Sequence, residues 1–366
     1  MGVTYIFGRV GSGKSQYIMK EMKERIEGPG SHPLFLIVPE QFTLQAERDL
    51  IEKQDLEGIM RAEVLSFTRL AYRVFSEVGG LTRTPINDIG KNIVIRKIIE
   101  EVEDKLTIYK GISRQEGFLS SLRDIFCEFK QQGIRPEDLN FQSGNIDEDS
   151  ILKMKLSDIA FIYGKFNDYL ENRYLDNEDH LNLLIEYIDR ATFIKGGEVW
   201  IDGFHVYTPQ MLKIIEKLLV NAKEVYISFT MEVDGENNSD NSLFQLPWET
   251  FRQVKAVAED LKIEESIIDL NKETGKFIDK SKEIIHLERE LFRYPYQPYE
   301  KEIRDINIFA ASNLYSEIEY VAREIKKLVR DKGYRYRDIA VVSGDFEGYR
   351  GELKRRFIEY HLPYFM

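Results

Sequence analysis

Cysteine is almost missing from this sequence: Cys127 is the only one in 366 residues. A single thiol excludes an internal disulfide and a cysteine-ligated zinc or iron–sulfur site within the chain. Histidine is scarce as well. The five that occur, His32, His180, His205, His286 and His361, are scattered without metal-ligand spacing, and each reads as an ordinary surface or core residue. No apolar run approaches the ~20 residues that a membrane span requires. The first residues lack the basic-then-apolar layout of a secretory leader. Net positive charge is missing too. At a formal −12 the chain is not a polycation that coats nucleic acid, so any DNA contact must come from a local groove or a partner's field. Together these absences point to the reducing cytoplasm and away from a membrane.

What is present is concentrated in the first fifteen residues. Val3-Thr4-Tyr5-Ile6-Phe7 reads as a short buried strand. Gly8-Arg9-Val10-Gly11-Ser12-Gly13-Lys14-Ser15 follows directly and fits the phosphate-loop pattern G-x-x-x-x-G-K-[ST]. The glycines let backbone N–H groups converge on phosphate oxygens without Cβ clashes. Lys14 supplies a point charge to the β- and γ-phosphates, and Ser15 a hydroxyl to Mg²⁺. The helix expected from Lys14 to about Ile26 aims its positive end at the same anion. A phosphate-bearing ligand with Mg²⁺ is therefore the expected class. The motif does not say whether it is hydrolysed.

The length predicts two or three domains, and 43% hydrophobic residues can fill sizeable cores. Further short strands are expected at Leu34–Val38 and Glu63–Leu65, each followed by helix, an alternation that implies a parallel sheet. From Ile86 to Arg190 helical periodicity takes over. Ile89, Ile93, Ile98 and Val102 form one stripe; Leu119, Leu122, Phe126 and Phe129 a second; Leu156, Ile159, Tyr163 and Phe166 a third. They predict an all-helical insertion at 86–190 within an α/β domain made of 1–85 and 191–292. Strands return at Glu198–Asp202 and Glu224–Thr230, with a helix from Pro209 to Ala222 between them. Asp234 to Ser242 reads as a polar loop, and helices are expected from there to about Phe292. Residues 293–305 read as an extended linker, because prolines in Arg293–Tyr299 disfavour helix. A second α/β unit is expected over 306–366: strand Ile306–Ala310, helix Ser316–Lys332, strand Asp338–Val342, helix Phe346–Tyr360. With two strands of that unit in hand, the sequence reads as a fragment.

The order of segments resembles superfamily 1 helicases. Phe42-Thr43-Leu44-Gln45-Ala46 is similar to their "FTNKAA" segment, and Ser66-Phe67-Thr68-Arg69-Leu70 to "TFHSL". Leu175-Asp176-Asn177-Glu178-Asp179-His180-Leu181 resembles "LDFDDLL". Ile201-Asp202-Gly203-Phe204-His205 stands where the Walker B segment "VDEFQ" is expected. Tyr336 to Val342, with Leu362-Pro363-Tyr364 beyond the next helix, resembles the fourth-motif region. "VPEQFT", "VLSFTRLAYRVF" and "WIDGFHVYTPQ" together resemble the AddB family, whose members belong to bacterial helicase–exonucleases that resect double-strand breaks and recognise Chi sequences.

This resemblance implies a RecA-like motor domain with a helical insertion, the start of a second motor domain, and a heterodimer with an AddA-type motor and nuclease subunit. Single- and double-stranded DNA are the implied nucleic-acid partners. Phe42, Thr43, Ser66, Phe67, Thr68 and Arg69 are the implied DNA contacts. By residue type alone, Phe67 reads more readily as core, and Ser66 as a cap for the helix that follows. Mg²⁺ would fall to Ser15 and Asp202. An iron–sulfur cluster would belong to a C-terminal nuclease domain outside this sequence.

The departures from the family pattern concern hydrolysis. Asp202 can hold Mg²⁺, but Gly203 occupies the place of the glutamate that activates water. Losing a positioned general base costs ~10²–10⁴-fold. No glutamine follows Ser228-Phe229-Thr230 in Met231-Glu232-Val233-Asp234, where the third motif has one. Ser343-Gly344 stands where an arginine approaching the γ-phosphate is expected, and Arg350 reads as a surface residue. Only Met1 and Gly2 precede Val3, so the adenine-reading element is missing. The expectation is a nucleotide-binding, poorly hydrolysing domain. Two other readings stay open: a phosphate-loop kinase, and a scaffold with a vestigial loop.

Overall fold

The computed structural model describes residues 2–56, 58–80, 83–111, 115–139, 150–171, 173–233, 243–271 and 280–366. The expected polar loop at 234–242 lies outside them. The chain divides into two compact units, 1–279 and 280–366.

The first unit is built on a six-stranded sheet. Its strands are β1 (Gly2–Phe7), β2 (Leu34–Ile37), β3 (Ala62–Leu65), β6 (Glu198–Ile201), β7 (Glu224–Phe229) and β8 (Glu264–Asp269), ordered β3-β2-β6-β7-β1-β8. Every pairing is parallel. A parallel sheet must be covered on both faces, so its inner strands read as continuous apolar runs; β2 is buried at all four positions. Alternate residues serve opposite faces. Ile6, Leu34, Leu36 and Trp200 meet Ile18, Met19 and Met22 of α1 (Lys14–Glu27), with Ala46 of α2 (Thr43–Arg48). Tyr5, Phe7, Phe35 and Ile201 meet the other layer. That layer holds α3 (Phe67–Val78), α7 (Asn177–Tyr187), α8 (Pro209–Asn221) and α9 (Gln245–Asp260).

The β8 strand corrects the expectation of unbroken helix between 243 and 292. Three of its six residues are acidic, and most of its positions are exposed or half-buried, as befits an edge strand paired on one side with β1.

The inserted helices are α4 (Asp88–Val102), α5 (Glu116–Gln132) and α6 (Ile151–Leu170), followed by α7. A two-residue parallel pair, β4 (Thr84–Pro85) with β5 (Tyr174–Leu175), ties the entrance of the insertion to its exit. The α4, α5 and α6 helices enclose their own core of Ile95, Ile98, Ile99, Leu122, Phe126, Ile162, Tyr163 and Phe166. The expected first stripe is partly wrong. Ile89 and Ile93 are 71% and 64% exposed, while Val94, Ile95 and Ile99 line the core beside Ile98 and Val102. The buried arc of α4 is thus rotated by about one residue from the stripe read in sequence. Loop 107–109 is fastened to α6 by the buried Asp158, whose carboxylate accepts the N–H groups of Thr107, Ile108 and Tyr109 at 2.8–3.1 Å.

The second unit contains α10 (Lys282–Glu290), α11 (Leu314–Lys332) and α12 (Phe346–Glu359). Ile318, Ala322 and Ile325 of α11 pack on Leu353, Phe357 and Leu362. The strands expected at Ile306–Ala310 and Asp338–Val342 do not form. Asp338 closes a 3₁₀ turn, and neither 306–310 nor 339–342 has a ladder partner among the described residues. Ile308 and Val342 stand 95% and 90% exposed. A two-stranded ribbon is marginal on its own, and parallel pairing rewards even less per residue.

Candidate nucleotide site

All six parallel strands end on one edge of the sheet, which collects their following loops along a single crevice. The phosphate-loop sequence follows β1. Asp202 follows β6, two strands away, with β7 between them. The segments carrying Phe42 and Ser66 follow β2 and β3 along the same edge.

The loop is held from below and left open at its anion-facing end. Gly8 N–H donates to Phe229 O at 3.2 Å, and Arg9 N–H donates to Asn271 Oδ1 at 2.8 Å. The Asn271 side-chain amide also donates to Met231 O, so one residue ties the loop to the ends of β7 and β8. The Arg9 guanidinium pairs with Glu232 at 3.0 Å and lies over the Phe244 ring. Gly11 and Gly13 sit at φ of 80° and 89°, the left-handed region that non-glycine residues avoid. Gly13 caps α1 without any side-chain hydrogen bond, and no acidic residue occupies the helix's first turn. A helix N-terminus capped by glycine, with no acid in its first turn, is one that can receive an anion. Lys14 Nζ donates to Gly8 O at 2.7 Å and Arg9 O at 3.1 Å, curled over its own loop. Ser12 Oγ is buried with no partner. It fills the space over Gly8, where an added Cβ would lie 2.1 Å from it. Val10 is exposed.

The sheet brings Ser15 and Asp202 together. Ser15 Oγ donates to Asp202 Oδ2 at 2.5 Å, although 187 residues separate them in sequence. Asp202 is buried, and its backbone N–H donates to Ile37 O at 3.0 Å. Among the described residues no three carboxylate, histidine or cysteine groups cluster to cage a metal. One carboxylate and one hydroxyl beside a phosphate loop are the donor set that suits Mg²⁺, which keeps waters and takes its other ligands from phosphates. Next to them a cavity of ≈ 230 Å³ extends between α1 and α2, lined by Ile18, Met19, Val38, Pro39, Phe42 and Gln45. Gly203 has φ of 82°, and an added Cβ would meet Pro39 Cδ at 3.4 Å.

Three of the six residues expected to touch DNA, Thr43, Ser66 and Arg69, meet Glu40. Its carboxylate accepts the Ser66 hydroxyl and lies 3.7 Å from the Arg69 guanidinium, and its carbonyl accepts from Thr43 Oγ1 at 3.0 Å. Thr43 is buried. Ser66 is buried and caps α3 through the Arg69 N–H at 3.1 Å. Phe67 packs in the core against Phe204. Thr68 is half-buried, while Phe42 and Arg69 are exposed. In the second unit Arg350 is exposed and pairs with Glu347 at 3.4 Å.

Sequence reasoning missed three participants. Ser228 donates to Asp202 Oδ1 from inside β7, and its signal was a hydroxyl between Ile227 and Phe229 in the buried half of that strand. Asn271 was hidden with β8. A buried ion-pair group behind α7 was missed as well. Lys130 meets Asp176 and Asp179 at 2.7 and 3.0 Å, and Lys91 meets Glu178 at 3.0 Å. The two aspartates and the glutamate lie in the "LDFDDLL"-like segment, where they join the helical insertion to the sheet unit.

Comparison with known proteins agrees with the motif reading. A family model described as "ADDB, N-terminal" matches residues 5–288. The chain is 54% identical over 366 residues to the B subunit of the ATP-dependent helicase/deoxyribonuclease of Alkaliphilus oremlandii (strain OhILAs), covering 100% of this chain and 32% of that relative. It is 41% identical over 367 residues to the like-named protein of Thermoanaerobacter sp. (strain X514), with the same coverage of each. The chain thus spans about a third of the length of the curated relatives it matches. No helix among the described residues is long and apolar enough to cross a membrane.

Proposed function

The chain belongs to the ADDB N-terminal family, and on that footing we propose that it is the nucleotide-binding, non-hydrolysing region of the B subunit of an ATP-dependent helicase–deoxyribonuclease. In this reading a RecA-like sheet unit binds Mg²⁺–ATP through Gly8–Ser15 and Asp202. A partner AddA-type subunit is the motor. This chain guides a single strand along the crevice that holds Phe42, Thr68 and Arg69, and contributes to reading Chi sequences during break repair in the cytoplasm.

One observation carries the reading. Ser15 and Asp202 meet at the foot of an uncapped helix, while the next residue is a glycine in left-handed backbone. Lys14 and the N–H groups of the loop and first turn of α1 would bind the phosphates, and Ser15 with Asp202 would hold Mg²⁺. When bound, that cation neutralises phosphate charge. Gly203 offers no group to accept a proton from water, so binding would be retained while turnover falls by ~10²–10⁴-fold. Calorimetric titration of Mg²⁺–ATPγS into this chain and its Lys14→Ala variant tests it. Saturable heat in the parent, lost in the variant, is expected. Absence of binding to both would refute the nucleotide site and favour the vestigial-loop reading.

A further inference from the structure

We propose that Ser228 is a positioning residue for the magnesium-binding carboxylate, a role that rests on the nucleotide reading above. Asp202 is buried and each of its oxygens takes a hydroxyl proton: Oδ2 from Ser15 at 2.5 Å and Oδ1 from Ser228. Ser15 is also the residue whose hydroxyl would face the cation, so its bond to Asp202 is shared with that task. Ser228 has no second task. It is buried in the middle of the sheet, and its only side-chain hydrogen bond among those of the described residues is to Asp202.

The strand register explains why this pair forms. Trp200 pairs with Tyr226 and Ile201 with Ile227 across β6 and β7, and the Trp200 and Tyr226 rings stack on one face at 4.8 Å. Two residues further along each strand, Asp202 and Ser228 fall on that same face. The side chain at 228 therefore sits on the most constrained part of the scaffold, flanked by β1 and β6. A carboxylate free to turn about its Cβ–Cγ bond offers a cation a poorly defined oxygen. With Oδ1 fixed by Ser228, Oδ2 is held toward Ser15 and the phosphate loop. Outer partners of this kind typically change metal affinity by ~10–100-fold when removed.

The alternative is that Ser228 merely satisfies a buried oxygen, which would affect stability and nothing else. The two roles separate in the dependence of nucleotide binding on Mg²⁺. ATPγS affinity is measured with Mg²⁺ and with EDTA for the 366-residue chain and its Ser228→Ala and Ser228→Thr variants, with thermal melting alongside. Ser228→Ala should weaken the Mg²⁺-dependent affinity by about tenfold, leave the EDTA affinity unchanged within about twofold, and be rescued by Ser228→Thr. Equal Mg²⁺ dependence in parent and Ser228→Ala would overturn the positioning role and leave the nucleotide site standing, whatever the melting shows. Failure of the parent to bind ATPγS in either condition would overturn both.

Discussion

Replacing Lys130 with methionine tests whether the buried charge group holds the helical insertion to the sheet unit. Lys130 Nζ lies 2.7 Å from Asp176 Oδ2 and 3.0 Å from Asp179 Oδ1, with the Asp176 side chain 1% exposed and that of Lys130 9%. Methionine keeps the unbranched stem and removes the charge. The buried Asp176 and the half-buried Asp179 then lose their shared donor, a loss that costs about 3–5 kcal/mol when one partner of a buried pair is deleted. At roughly 2–4 °C per kcal/mol for a domain of this size class, the melting temperature should fall by roughly 6–20 °C. The pH dependence is the sharper test. In the parent, burial works against the Asp176 charge, but Lys130 overrides it and holds the carboxyl below its ordinary value. Its stabilisation is therefore present above the usual carboxylate range and lost as pH falls through the lowered value. Burial and the Asp176 charge push Asp179 upward. In the variant both groups gain by taking up a proton, so the gap between parent and variant should narrow between pH 7 and pH 4.5. Circular-dichroism melts across that range measure it. Adding Asp176→Asn and Asp179→Asn to Lys130→Met should recover most of the loss, since asparagine still caps α7. A drop under about 3 °C, or a gap that stays constant on acidification, would mean that the group contributes packing and not charge pairing.

Asp158→Asn should cost about 2–3 kcal/mol in urea unfolding, because three backbone N–H groups donate to Oδ2 and a neutral amide oxygen replaces charged hydrogen bonds with weaker ones. His180 is buried against Tyr72, and burial holds its imidazole below the ordinary 6.5. The unfolded chain therefore binds a proton that the folded chain refuses, and stability falls as pH drops below about 6.5; His180→Leu should gain relative to the parent between pH 7 and pH 5. Asn271→Ala should weaken ATPγS binding by about tenfold by releasing the Arg9 end of the loop, whereas an unchanged affinity would show that the other ties suffice. Gly203→Glu should restore no hydrolysis and should cost about 1–2 kcal/mol for left-handed backbone; DNA-stimulated phosphate release from that variant well above the parent's would contradict the backbone argument.

The legible parts of this fold are those where local pattern and final environment coincide. Val3–Phe7 is buried throughout, and apolar but for Thr4, because both of its faces are covered, and the glycine-rich run after it needs no distant partner to be recognised. The β8 strand was illegible because an edge strand can be acidic and still pair; its register is supplied by β1, more than 250 residues earlier. In α4 the periodicity identified an apolar helix but not the direction of its partners, so Ile89 and Ile93 were assigned to a core that Ile95 and Ile99 fill. The segments after 305 and 338 have strand composition, yet composition cannot provide the neighbouring ladder a parallel strand requires.

The same distinction runs through the candidate site. A phosphate loop carries most of its chemistry in eight consecutive residues, so its position could be read directly. Asp202 could be read because it ends an apolar strand. Ser228 and Asn271 act through pairings 26 and 262 residues long, which only the assembled sheet makes visible. Gly203 differs from both. In sequence it is a missing carboxylate, which a single substitution would seem to replace. In the structure its φ of 82° turns the chain sharply after Asp202, against Pro39 of the segment that follows β2. A glutamate there would have to adopt left-handed backbone, at a cost of about 1–2 kcal/mol. In the proposed reading, binding without turnover would thus follow from the course of the chain as well as from one absent side chain.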